Sequence, residues 1–299
     1  LLVSGPRRPG APARARLWPE GVPFRLENRA RIALSGSRHL DVVRRGEDRI
    51  LLSGRAAPQR RRFRVAVADP VAYTAGWLRR ALAEKGVQVA GGIRQEAFDS
   101  PGEVPLWSLE TPLATILPVV NKESHNMMAE HIFKLLGHVR EGEGSFVAAG
   151  RTVGAWLEKL GFDPAPHRVR DGSGLSRRSR LSPRVLAGVL VWTWRSGNRL
   201  AFLRSLPRGG EEGTLADRLE DPLLRGRVRA KSGWIAGASA LSGYLERAGG
   251  ALVFSILVDY PYRPGFNRHC KAAQDEICTL LAGCAGAKVA FFVQIHRRL

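Results

Sequence analysis

Two apolar runs, at residues 238–246 and 251–258, are joined by Arg247, Ala248, Gly249 and Gly250. Strand-length runs with a short glycine-bearing connection read as a β-hairpin, which commits this part of the chain to an antiparallel sheet. A third run at 228–232 supplies another strand. Helical segments surround these strands. The spacing predicts helices over 111–120, interrupted by Pro118, and over 126–136, ending at Gly137. Another covers 146–160 and stops at Gly161. Ser182 and Pro183 form a cap and first turn for one that runs to about Trp194. The last covers about 270–281. The expected class is therefore α/β in the broad sense, more narrowly α+β.

The beginning of the chain has a different character. Residues 1–20 are rich in Pro, Arg and Gly and read as an irregular lead-in. Short strands are expected at 31–34, 39–43, 49–52 and 63–67, the first three punctuated by Gly36, Gly46 and Gly54. Asp69 and Pro70 open a helix with Trp77, Leu78 and Leu82 on one face, stopped by Gly86. Residues 87–89 read as a strand, broken by Gly91 and Gly92. The expected domains are 1–67, a β-rich unit, and 68–299.

No apolar run approaches the ~20 residues needed to cross a bilayer, so no transmembrane segment is expected. Residue 1 is Leu, and no basic stretch leads into an apolar one, so no signal peptide is read in the chain. The net charge is +20 over 299 residues, with 47 Lys and Arg against 27 Asp and Glu. It is uneven: residues 1–64 hold sixteen Arg and five acids. Such a surface attracts polyanions, including nucleic acid, anionic cell wall and membrane headgroups. No zinc-finger spacing or RNA-binding aromatic run accompanies it, and nucleic acid is not an expected partner. Cys270, Cys278 and Cys284 lack metal-ligand spacing and read as small buried hydrophobes, with one disulfide and a leftover thiol as the alternative. No metal or organic cofactor is expected.

Three segments carry chemistry. Ser124 and Asn126 lie just before a helix, where i and i+2 side chains of an extended loop point the same way. A hydroxyl and a carboxamide so placed can relay a proton and hold an amide; a polar turn capped by Asn126 is the alternative. Lys231, Ser232 and Gly233 end a strand and offer an ammonium and a hydroxyl to a carboxylate. The chain has seven Lys against 40 Arg, and a compact ammonium is not replaceable by guanidinium. An edge strand with a solvated lysine is the alternative there. Asp171, Gly172, Ser173, Gly174, Leu175 and Ser176 fit no phosphate-loop pattern and read as a tight loop.

Together, NKESHNMMAEHIFKLLG (121–137), DGSGLSRRSRLSP (171–183) and AKSGWIAGASALSGYL (230–245) resemble the D-alanyl-D-alanine carboxypeptidase/endopeptidases. These are the class C low-molecular-mass penicillin-binding proteins, peptidase family S13. The resemblance covers about residues 65–260. It implies a β-lactamase/transpeptidase-like domain, an antiparallel sheet flanked by helices, with residues 1–67 as the tail of a β-rich inserted domain. It implies cleavage of peptidoglycan stem peptides through an acyl-enzyme, inhibition of the complete enzyme by β-lactams, and a periplasmic or extracytoplasmic place.

The implied catalytic residues are Ser124, which passes a proton to the leaving amine, Asn126, which holds the substrate amide, and Lys231, which supplies positive potential. The implied substrate-binding residues are Ser232, Gly233 and Trp234: Ser232 takes the terminal carboxylate and the Trp234 N–H half of an oxyanion hole. Asp171 and Ser173 fall in a signature loop of unassigned role, and His125 is a cleft wall. One departure is plain: no Ser has a Lys three residues later. The family's nucleophile comes from such a Ser-x-x-Lys motif, upstream of its inserted domains. The chain is therefore expected to lack the family's N-terminal part and, alone, to be inactive. The rival readings are a non-catalytic module that binds wall peptide or β-lactam and, more remotely, a basic nucleic-acid-binding protein.

Overall fold

The computed structural model describes residues 1–18, 24–36, 39–46, 48–94, 108–284 and 291–296. The chain forms two compact units, Leu1–Pro105 and Leu106–Leu299. The sequence placed a boundary at 67/68; the helix after Asp69 groups with the first unit instead.

The first unit holds two small sheets. β1 (Leu2–Ser4), β2 (Arg14–Arg16), β3 (Arg25–Asn28), β4 (Arg31–Ile32), β5 (Leu40–Arg45), β6 (Arg49–Ala56) and β7 (Arg61–Arg62) are followed by α1 (Pro70–Glu84). One sheet runs β2-β1-β7; the other pairs β6 with β3, β4 and β5. Val3, Ala13, Ala30, Ile32, Leu52 and Ala56 form the core between them. The Asp69 carboxylate caps α1, accepting from the Val71 and Ala72 N–H groups at 2.9 Å each. Two expected strands are corrected. Phe63 still exchanges backbone hydrogen bonds with Leu1 at 2.8 and 2.9 Å, residues 64–67 leave the ladder, and Phe63 and Val65 pack on the core. Residues 87–89 pair with no described strand.

The second unit is a sheet between helices. α2 (Leu113–Lys122), α3 (Asn126–Glu141), α4 (Phe146–Lys159), α5 (Pro183–Arg195) and α6 (Arg199–Ser205) precede β8 (Val228–Ile235), β9 (Ala238–Arg247) and β10 (Gly250–Asp259). α7 (Asn267–Gly283) and β11 (Phe291–His296) follow. The sheet order is β11-β10-β9-β8. Strand alternation divides the core by face. Leu241, Leu245, Leu252, Phe254 and Ile256 pack with Cys270 and Cys278 of α7. Tyr244 and Val253 pack with Ala187 and Leu190 of α5 and Leu203 of α6. β8, β9 and β10 are antiparallel as expected, but β11, which the sequence did not suggest, lies parallel to β10.

α3 runs past its expected stop. Gly137 is interior, and a Cβ there would come within 2.7 Å of the Ala149 nitrogen and 2.9 Å of the Glu143 carbonyl. The glycine serves close packing of α3 on α4; the stop is Gly142, at φ 72°. All three cysteines are free thiols, Cys270 and Cys278 buried and Cys284 exposed. Burial raises the Cys270 pKa, and burial with the Asp275 charge pushes Cys278 up to about 12.

Candidate active site

A cavity of about 610 Å³ opens along the exposed edge strand β8. Ser124, Asn126, Ser173, Lys231, Ser232, Gly233 and Trp234 all line it. The three sequence segments therefore meet in one place.

The α2–α3 connection presents the first wall. Ser124 sits in it at φ 52°, a left-handed conformation uncommon for a residue with a Cβ. This corrects the expected extended loop: the turn, not strand alternation, brings Ser124 and Asn126 to the same cavity. Asn126 is the first residue of α3 rather than its cap. His125 caps the helix, its Nδ1 accepting from the Met128 N–H at 3.4 Å, and also lines the cavity.

Residues 205–214 brace this turn from behind. Asn121 donates to the Ser205 hydroxyl at 2.8 Å, and Lys122 pairs with Glu212 at 2.9 Å. A Cβ on Gly213 would meet the Lys122 carbonyl at 2.7 Å.

β8 presents the second wall. Lys231 donates to the Ser124 hydroxyl at 2.9 Å and to the Ser232 carbonyl at 2.6 Å. Burial drives the amine pKa below its ordinary value. Ser232 donates to the Thr214 hydroxyl at 3.0 Å. A Cβ on Gly233 would meet only the Ala240 Cβ, at 3.6 Å, so its bare backbone opens onto the cavity and not onto another chain segment. The Ala230 N–H points away from β9, to the Pro207 carbonyl. By strand alternation the Ser232 and Trp234 N–H groups point the same way, over the open edge. Trp234 is 53% exposed and donates from its indole to the Tyr260 hydroxyl at 3.0 Å.

The third wall is the Asp171 loop. Asp171 accepts from the Ser179 hydroxyl at 2.7 Å and the Ser176 N–H at 2.9 Å, and lies 3.1 Å from the Ser173 hydroxyl. Burial works against its carboxylate, but these donors outweigh it and hold the pKa below the ordinary value. Glu130 of α3 accepts from the Ser173 hydroxyl and, at 2.8 Å, from the Gly172 N–H. A Cβ on Gly172 would lie 2.3 Å from the Ala129 carbonyl, so the loop seats against α3 only with glycine there. Arg177 reaches across to the Ala236 carbonyl at 2.8 Å.

Glu130, Glu212, Thr214 and Tyr260 escaped the sequence reading. Glu130 lies four residues after Asn126, on the same helix face, which is a usable signal. Thr214 and Tyr260 carried none. Among the described residues no group of His, Cys, Asp and Glu is placed to hold a metal ion.

A helix-flanked sheet whose edge lysine reaches the serine of a Ser-x-Asn turn defines the penicillin-binding class of serine peptidases. The chain belongs to the D-Ala-D-Ala carboxypeptidase 3 (S13) family, whose model matches residues 9–281. A D-alanyl-D-alanine carboxypeptidase of Actinomadura sp. (strain R39) is 32% identical over 297 residues, 94% of this chain and 54% of that protein. D-alanyl-D-alanine carboxypeptidase DacB of Haemophilus influenzae is 28% identical over 231 residues, 76% of this chain and 48% of that protein. The crystal structure of penicillin-binding protein 4 (dacB) from Haemophilus influenzae, complexed with a β-lactam, superposes with a TM-score of 0.65 at 26% identity. It matches 84% of this chain and 59% of that one. The chain thus spans about half the length of the curated relatives it matches.

Proposed function

We propose that the cavity takes the D-Ala-D-Ala end of a peptidoglycan stem peptide, as part of a periplasmic or extracytoplasmic serine-type carboxypeptidase that β-lactams acylate. The observation that carries this reading is the Lys231–Ser124 contact inside a cavity also lined by Asn126 and Ser232. The Lys231 ammonium and Ser232 hydroxyl attract the terminal carboxylate. The Asn126 carboxamide holds the penultimate amide. The Trp234 N–H, on an edge with no described strand beyond it, stabilises the oxyanion. Ser124 carries a proton to the leaving D-Ala amine, replenished by Lys231, whose lowered pKa eases proton release.

Acyl transfer also needs a nucleophile, and no Ser-x-x-Lys occurs in these 299 residues. The acyl-enzyme is assigned to the family's Ser-x-x-Lys segment, and the 299-residue chain alone to binding without turnover. The first unit, Leu1–Pro105, is read as carrying the tail of the family's inserted domain.

Calorimetry with a diacetyl-Lys-D-Ala-D-Ala peptide tests the binding half, and an assay for released D-alanine tests the catalytic half. Expected are saturable binding lost in Lys231→Met and no D-alanine release. Absence of Lys231-dependent binding overturns the site. Turnover, or stoichiometric labelling by fluorescent penicillin, overturns the assignment of the nucleophile to another segment.

A further inference from the structure

Between Ser205, the end of α6, and Val228, the start of β8, the chain makes one short turn of 3-10 helix, Gly213–Leu215. Arg208 pairs with Arg229 at the entry of this connection, but residues 210–220 have no described strand partner. They depend on their own turns and side chains for a fixed shape. Even so they carry two groups that reach the site. Glu212 pairs with Lys122 in the Ser124 turn, and Thr214 accepts from the Ser232 hydroxyl.

Arg218 anchors the connection. It is 9% exposed, the least of any described Lys or Arg. Its guanidinium forks onto Asp275 of α7, at 2.6 Å from Nη2 and 3.3 Å from Nε. Nη2 also donates to the Gln274 side-chain oxygen at 3.1 Å and to the Lys271 carbonyl at 3.2 Å. Gln274, fully buried, donates in turn to the Ser239 hydroxyl of β9 at 3.3 Å. One side chain thus ties the connection to α7 and, through Gln274, to the sheet.

The backbone beside Arg218 is shaped to the same end. The Arg218 carbonyl accepts from the Gly210 N–H at 2.7 Å, which closes residues 211–217 into a ring holding Glu212 and Thr214. Leu219 follows at φ 58° and packs in the core with Leu215 and Leu224. A Cβ on Gly209 would come within 2.8 Å of the Leu219 Cβ, so closure of the ring needs glycine there. A left-handed residue with a Cβ persists where its surroundings over-determine it. A buried ion pair adds little net stability over an apolar replacement, whereas a fork with further hydrogen bonds fixes direction.

We propose that Arg218 is a positioning residue for the peptide site. Held by Asp275 and Gln274, it fixes the ring so that Thr214 orients the Ser232 hydroxyl and Glu212 steadies the Ser124 turn. Arg218 does not itself line the cavity and acts through the ring. The proposal rests on the peptide reading of that cavity.

The test joins hydrogen exchange on the free chain to calorimetry with the diacetyl-Lys-D-Ala-D-Ala peptide. In R218M the amides of 209–218 should exchange about tenfold faster, while those of β9 and β10 keep parental protection. D275N loosens the same anchor from α7 and should speed the same amides. Unchanged exchange there in both variants overturns the anchor, whether or not peptide binds. Peptide affinity should fall about fivefold in R218M, but by less than about 1.5-fold when R218M is added to T214V. Independent, multiplicative losses overturn the route through Thr214. Leu157→Ala opens a cavity under α4 and should lower the melting temperature with peptide affinity unchanged. Affinity falling in step with the melting temperature in that variant overturns the positioning role. A parent chain that binds no peptide overturns the reading of the cavity, and the exchange arm still decides the anchor by itself.

Discussion

Lys231 donates to the Ser124 hydroxyl at 2.9 Å across 107 residues of sequence. The pair is the hinge of the site. One partner lies on a strand edge and the other in a helix–helix turn, so their distance reports on how well the two walls are held together.

The lysine is held against its own solvation. Its folded pKa is depressed by burial, so between that value and the unfolded one the unfolded chain binds more protons, and stability rises with pH. Lys231→Met should therefore raise the melting temperature at pH 7, and the advantage over the parent should shrink toward pH 10.5. Peptide binding should fall at least tenfold in the same variant. Paired thermal scans and calorimetry check both.

Thr214 holds the Ser232 hydroxyl in place at 3.0 Å. Thr214→Val keeps the shape and removes the partner. Peptide affinity should drop about 3- to 10-fold, in keeping with ~0.5–1.5 kcal/mol for one hydrogen bond. Thr214→Ser should restore it. Equal affinity for all three proteins would show that Ser232 needs no support.

Asp171 gathers donors from Ser176 and Ser179. Its depressed pKa means that it adds stability above the unfolded carboxylate pKa, and that this is lost as pH falls through the folded one. Asp171→Asn should be less stable than the parent at pH 7, by about 1–3 kcal/mol for donors left mismatched in a buried loop. The two should converge in acid. Urea titrations at pH 7 and pH 3 distinguish this from a loss independent of pH.

The thiols should divide by burial. Cys284 is exposed, whereas Cys270 and Cys278 are buried with raised pKa values. An aromatic disulfide reagent should titrate one thiol quickly in the native chain and three in denaturant. A second fast thiol would place α7 outside the core.

The chemistry was legible in the sequence because short motifs write it locally. Ser124, Asn126, Lys231 and Ser232 stood out by residue type, took their roles from the family resemblance, and all line one cavity. Local signals also gave the caps at Asp69 and Ser182, whose side chains accept from the first turns of α1 and α5. Long-range packing was harder to read. Gly137 looked like a helix stop, but its lack of a side chain answers Ala149 on another helix. Residues 87–89 have strand composition and no described neighbour to pair with. The supports at Glu130, Glu212 and Thr214 depend on contacts between segments that no spacing rule relates.

Ser124 adopts a backbone geometry that glycine takes without steric cost, and Leu219 is the other described non-glycine residue with positive φ. Optimisation of this chain for thermostability alone would write glycine at position 124. That edit would relieve the backbone at 124 and silence the Lys231 contact. Sequence repair guided by stability therefore has to exempt this position, because here robustness and activity pull in opposite directions.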